Sequence, residues 1–114
     1  MVYTIDEIKE KIQPIAEKYD LPAIYLFGSY ARNEADEDSD IDLAIELGNS
    51  DLLWGGMAPM LEIEEVFEIP VDCLTVESIL EARSPIEKEV KKNFEREKLA
   101  LYEKRTVGKR LFVS

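Results

Sequence analysis

The chain is short of cysteine, with a single thiol, Cys73, in 114 residues. No internal disulfide can form, which fits a reducing compartment. No apolar run approaches the roughly 18 residues that a bilayer span needs. The opening MVYTIDEIKE lacks the basic-then-apolar profile of a signal peptide, so the cytoplasm is the expected compartment. Long Gly/Ser stretches and internal repeats are also missing, and no internal domain boundary is expected. Basic residues are scarce, with 14 Lys and Arg against 25 Asp and Glu and a net charge of −11. A body of that charge repels phosphate backbones, which argues against general nucleic-acid binding. The shortage is uneven: KRTVGKRLFVS, residues 104–114, holds Lys104, Arg105, Lys109 and Arg110 and no acid. Residues 1–103 therefore read as the domain, with 104–114 as a basic C-terminal tail. Its composition, 46% hydrophobic and 34% charged, is that of a soluble globular protein.

Ile5, Ile8, Ile12, Ile15 and Tyr19 recur at helical spacing, with Thr4 and Glu7 as a capping box. This predicts a helix over 4–19, kinked at Pro14. AIYLF, 23–27, reads as a strand buried on both faces and stopped by Gly28. A short helix from Ser29 to about Asn33 and an acidic loop follow. DIDLAIEL, 40–47, alternates with period two and reads as a strand with one apolar and one mostly polar face. Ser50 is a candidate cap for a helix reaching about Phe67, interrupted by Gly55, Gly56 and Pro59. IPVDCLTV, 69–76, is a third strand, followed by a short helix at 77–82. Ser84, Pro85 and Glu87 then start a helix to about Phe94, and LALYEK is a final strand. The expected architecture is α+β, a small mixed sheet covered by helices.

Three carboxylates carry the chemistry. Asp40 and Asp42 are two positions apart, so both project from one side of their strand, about 6.6 Å apart along it. Asp72 lies among apolar residues in PVDCL, and an aspartate in such a place seldom lacks a partner. If its strand pairs beside the second, its carboxylate joins the other two. Each pair of like charges would cost about 3 kcal/mol at roughly 5 Å and an effective dielectric near 20. Bound cations offset such repulsion, and hard oxygen ligands suit Mg²⁺ or Mn²⁺. An Asp-x-Asp alone is common at solvated strand ends, and Asp36, Glu37 and Asp38 read as a solvated loop. Gly28 permits close backbone approach, and the N–H groups after it, with the Ser29 hydroxyl, suit phosphate. Arg32 is either a surface residue or a further phosphate contact. Tyr30 is placed either on a nucleotide base or against the sheet. Cys73 reads as a small buried hydrophobe.

Gly28-Ser29, ten intervening residues and Asp40-Ile41-Asp42, together with the third carboxylate of PVDCLTV, resemble the minimal nucleotidyltransferases (MNT) of the DNA polymerase β superfamily. The likeness covers most of residues 1–103. Where relatives often read Arg-Glu-Gly before the closing strand, this chain has Arg96-Glu97-Lys98. The resemblance implies a polymerase β-type fold and a catalytic, metal-binding set of Asp40, Asp42 and Asp72. These would hold two Mg²⁺ ions on ATP, and Asp72 would help deprotonate an attacking hydroxyl. Gly28 and Ser29 would hold the β/γ phosphates, with Arg32 grouped beside them.

For a stand-alone chain of this length, the resemblance implies an antitoxin that transfers AMP to a tyrosine of a HEPN ribonuclease toxin. The acidic body suits such a partner if the partner is basic. Two other readings remain open. One is a non-catalytic module that neutralises a toxin by contact, through Leu52, Leu53, Trp54, Met57 and Met60. The other is a small-molecule (antibiotic) nucleotidyltransferase acting as a homodimer.

Overall fold

The computed structural model describes residues 2–48 and 57–104. The chain runs α1 (Ile5–Lys18), β1 (Ala23–Phe27), β2 (Ile41–Glu46), α2 (Met57–Val66), β3 (Val71–Thr75), α3 (Val76–Leu80), α4 (Pro85–Glu97) and β4 (Leu99–Glu103). The strands form one sheet in the order β3-β2-β1-β4. β1 is antiparallel to both β2 and β4, whereas β2 and β3 are parallel. The mixed α+β sheet expected from the sequence is present.

α1 starts at the capping box of Thr4 and Glu7. It continues through Pro14, whose ring lies on the exposed face. An interior proline costs about 3 kcal/mol. The opposite face buries Ile8, Ile12 and Ile15, each contributing on the order of 1.5–3 kcal/mol relative to exposure, so the packing outweighs the proline. These side chains meet Ile24 and Leu26 of β1, Ile41, Leu43 and Ile45 of β2 and Ile63 of α2 in the main core. The other sheet face carries a smaller core of Phe27, Ala44, Ile79 and Phe94 under α3 and α4. Phe94 meets the rings of Tyr25 and Phe27 edge-on, at 5.8 and 5.5 Å between centroids. Glu77 of α3 accepts from the backbone N–H groups of Leu47 and Gly48, tying the exit of β2 to that helix.

The sequence reading needs corrections at the level of elements, beyond shifts of one or two residues at the ends of α1, β2 and β3. Residues 29–33 are a single turn rather than a helix. Arg32 N–H donates to Gly28 O, Asn33 N–H to Tyr30 O, and Glu34 N–H to Ser29 O at 2.8 Å. With Asn33 left-handed at φ 61°, that pairing is a helix-terminating pattern, so the helix ends as soon as it begins. α3 covers 76–80 rather than 77–82, and α4 runs to Glu97 rather than Phe94. Ser50, Leu52, Leu53, Trp54, Gly55 and Gly56 lie outside the described residues; of the proposed contact stripe, Met57 is exposed and Met60 packs on the core. Of the basic tail, only Lys104 is described. Its N–H donates to Pro22 O and its Nζ is 2.8 Å from Asp20. No helix among the described residues is long and apolar enough to cross a membrane.

Candidate active site

Register brings the site together. Phe27 of β1 is opposite Asp42 of β2, and Asp42 is opposite Asp72 of β3. One row across the sheet therefore reads Phe27-Asp42-Asp72, and its side chains share a face. That face is the one α4 covers only in part. Gly28 leaves β1 at φ +76°, a conformation that favours glycine. A Cβ there would collide with the Asp42 Oδ2 and stand 3.1 Å from its Cγ. The glycine is thus required twice, by its backbone angle and by the carboxylate over it.

A cleft of about 360 Å³ opens at this point, lined by Phe27, Gly28, Ser29, Arg32, Asp42 and the α4 residues Val90, Asn93 and Glu97. A cleft of similar size, about 380 Å³, lies beside Val2, Tyr3, Tyr30 and Asn33, with Asp6 as its one charged group. Size does not separate the two, but chemistry does. Only the first joins a glycine-lined turn, a hydroxyl, a guanidinium and a carboxylate in register with another.

Asp42 is half-buried, and its carboxyl is pushed up to about 6. Burial is the main cause, followed by the charges of Asp72 and Asp40; Arg32 opposes the shift and Glu97 adds to it. The two other aspartates are thus close enough to act on Asp42. Asp40 lies just outside β2 and is exposed. Asp72, expected to be buried, is exposed as well. The reason is topological: β3 is an edge strand, and the face that carries Asp72 and Leu74 is only partly covered. Among the described residues, no three acidic, Cys or His side chains gather as a ready-made ion cage. The fit to Mg²⁺ therefore rests on donor chemistry, with hard carboxylate oxygens repelling one another around Asp42. An open set of this kind leaves coordination positions for phosphate oxygens.

Arg32 enters the cleft rather than only the surface. Its Nε donates to Glu34 at 2.9 Å and its Nη1 to Glu97 at 3.0 Å. Glu97, only 11% exposed, is a site residue that sequence reasoning missed. It continues the Val90, Phe94 stripe of α4 at a spacing of three, and an acid on that stripe was the available signal. Tyr30 packs in the main core with its hydroxyl 3.4 Å from Tyr3 N, so it is not a base-stacking residue. The Cys73 thiol is pushed up to about 12, chiefly by burial, so it is not a nucleophile. Asp36, Glu37 and Asp38 are exposed, in a loop closed by the Ser39 hydroxyl against Asp36.

The family model described as "Polymerase beta, Nucleotidyltransferase" matches residues 10–105. The chain belongs to this nucleotidyltransferase family. It is 47% identical over 75 residues to a Methanocaldococcus jannaschii protein provisionally named protein adenylyltransferase MJ0435, covering 66% of this chain and 81% of that one. A second protein of that organism, provisionally named protein adenylyltransferase MJ1379, is 36% identical over 84 residues, covering 67% and 82%. Among solved structures, a toxin–antitoxin with AMP-PNP superposes with a TM-score of 0.61 at 20% identity, over 92% of this chain and 81% of that one. A complex of tri-AMPylated Shewanella oneidensis HEPN toxin with MNT antitoxin gives 0.59 at 19%, over 96% and 80%. These structures show the fold alone, that of the polymerase β-type minimal nucleotidyltransferases; the family match and the M. jannaschii relatives make the chain a nucleotidyltransferase enzyme.

Proposed function

We propose that this nucleotidyltransferase transfers AMP from ATP to a tyrosine hydroxyl of a HEPN-type toxin and so acts as its antitoxin. The observation that carries the nucleotidyl-transfer part is the register of Asp42 with Asp72 directly over the Gly28 turn. The protein acceptor is supported by the names of the M. jannaschii relatives.

Asp40, Asp42 and Asp72 would hold two divalent ions. When bound, such a pair neutralises the triphosphate and stabilises the attacking and leaving oxygens together. The chain's own groups do the rest. Gly28 and Ser29 line the cleft, and the backbone N–H groups after Gly28 with the Ser29 hydroxyl would donate to the β/γ phosphates. Arg32, braced by Glu97, can exchange its exposed Glu34 contact for a phosphate oxygen. The acceptor oxygen attacks the α-phosphorus, a new O–P bond forms, and the bond to the β-phosphate oxygen breaks, releasing pyrophosphate. The acceptor proton passes to Asp72, which is open to solvent and can hand it on. With no histidine in the chain, a carboxylate is the natural base near neutrality.

The test is to mix the purified chain with the product of its adjoining gene and ATP–Mg²⁺, then weigh the partner. Gain of one or more adenylyl groups is expected. Asp40→Asn with Asp42→Asn should reduce transfer by about a hundredfold or more, the scale of losing transition-state charge stabilisation, while the complex still forms. Full neutralisation by that double variant would instead establish inhibition by contact.

A further inference from the structure

Directly behind the Phe27-Asp42-Asp72 row, the same sheet face carries Tyr25, Ala44 and Leu74. Tyr25 and Ala44 are covered by Phe94 and Ile79. Leu74, on the edge strand, is 37% exposed. Beside it a groove of about 250 Å³ opens between β3, α3 and α4, lined by Leu74, Ser78, Ile79, Ile86, Glu87 and Val90. Val90 also walls the cleft that holds Asp42, so the two depressions meet across one side chain. Ile86, in the first turn of α4, is 78% exposed and continues the stripe of Val90 and Phe94 outward beyond the sheet. Single exposed aliphatics need no explanation. Two of them rimming one depression, two residues along the strand from Asp72, do.

We propose that this groove seats the acceptor: a tyrosine side chain, with its neighbouring residues, on a partner protein. The proposal rests on the protein-acceptor reading above and assigns its docking surface. The one carboxylate in the lining, Glu87, is engaged in capping α4, where it accepts from the N–H groups of Arg83 and Ser84 at 2.9 and 3.0 Å. Apart from Ser78, what the groove offers is therefore apolar, which suits a ring and not a small polycationic or sugar acceptor. A tyrosine has an apolar body and a polar tip. Laid against Leu74, Ile86 and Val90, it directs its hydroxyl toward the Asp42–Asp72 end, where the oxygen gains the adenylyl group through its α-phosphorus, pyrophosphate departs and the proton leaves to a carboxylate. A serine or threonine has no ring to lay against these side chains and carries its hydroxyl closer to its backbone. The chain's charge of −11 selects a segment whose flanking residues are basic.

Ile86→Glu is the variant of choice, because its side chain is mostly in water and its loss does not open the core; equal thermal midpoints for the two proteins check this. With the adjoining gene's product as acceptor, KM for that protein should rise at least tenfold while KM for ATP stays within twofold. Methyl spectra of the full chain with AMP-PNP and Mg²⁺, titrated with N-acetyl-tyrosinamide, should show saturable shifts at Leu74, Ile79, Ile86 and Val90, and none with N-acetyl-serinamide. Unchanged transfer by Ile86→Glu, or shifts confined to other methyls, would overturn the groove and leave the protein-acceptor reading standing. If the wild-type chain adenylylates no protein but modifies an aminoglycoside, that reading falls, and the groove assignment with it.

Discussion

At Asp42, folding and chemistry pull in opposite directions. The proposed site requires a carboxylate there, and the surroundings disfavour its charge enough to raise its pKa from 3.8 to about 6. Well below pH 3.8 the group is neutral in folded and unfolded chains alike, and no penalty arises. As pH rises through about 6, the folded protein must ionise Asp42 against burial and the neighbouring carboxylates, whereas the unfolded chain has already done so. The full shift corresponds to about 3 kcal/mol, and partial exposure screens it to the order of 1–2 kcal/mol. Asp42→Asn should therefore raise the thermal midpoint by several degrees at pH 8 without divalent ions, and give only a small fraction of that gain at pH 4. Melting at or below the wild-type temperature at pH 8 would contradict the assigned cause. The same sign makes ATP–Mg²⁺ binding weaken as pH falls through about 6, because a protonated carboxyl is a poor ligand. The placement of Asp42 was legible at the residue scale, since alternation in DIDLAIEL sets which way it points. The exposure of Asp72 was not: PVDCL reads the same whether its strand is central or at an edge, and strand order is a non-local property. Glu97 was legible in principle and was masked by the many solvated acids of α4.

The ends of elements show how far local chemistry reaches. Both capping boxes, Thr4 with Glu7 and Ser84 with Glu87, form as read, because their partners lie within four residues. The turn after Gly28 was over-read because Asn33 terminates it through a left-handed backbone that the pattern of side chains does not announce. Lys98, where relatives often have glycine, is informative in the opposite sense. It closes α4 at φ −58° and ψ 138°, an extended conformation open to any residue. No left-handed glycine is required there. Its Nζ also lies 5.5 Å from the ring centroids of Tyr25 and Phe94. Lys98→Gly should destabilise the protein by about 1–2 kcal/mol, combining backbone entropy of roughly 0.5–1 kcal/mol with a cation–π contact of about the same size. Urea unfolding measures this directly. A stabilised variant would mean that the turn is left-handed in solution.

Across the whole molecule, the two faces of the sheet are unequal. α1 and α2 bury one along β1 and β2, while α3 and α4 leave the other open around Asp42, Asp72 and Leu74. The proposed reactive groups thus lie on the sheet at its least covered point, in a chain of net charge −11. That charge acts at a distance. Encounter with a basic partner should be accelerated by long-range attraction, which salt screens with a Debye length near 10 Å at 0.1 M. The contacts formed afterwards in an apolar groove should hardly feel salt. Association with the adjoining gene's product should therefore slow by about tenfold between low and high salt, with dissociation nearly unchanged. Stopped-flow or surface-based kinetics at several salt concentrations separate the two rates. If dissociation carries the salt dependence, charged pairs hold the complex together. The acidic body would then be part of the interface itself, and the apolar groove could not be its main anchor.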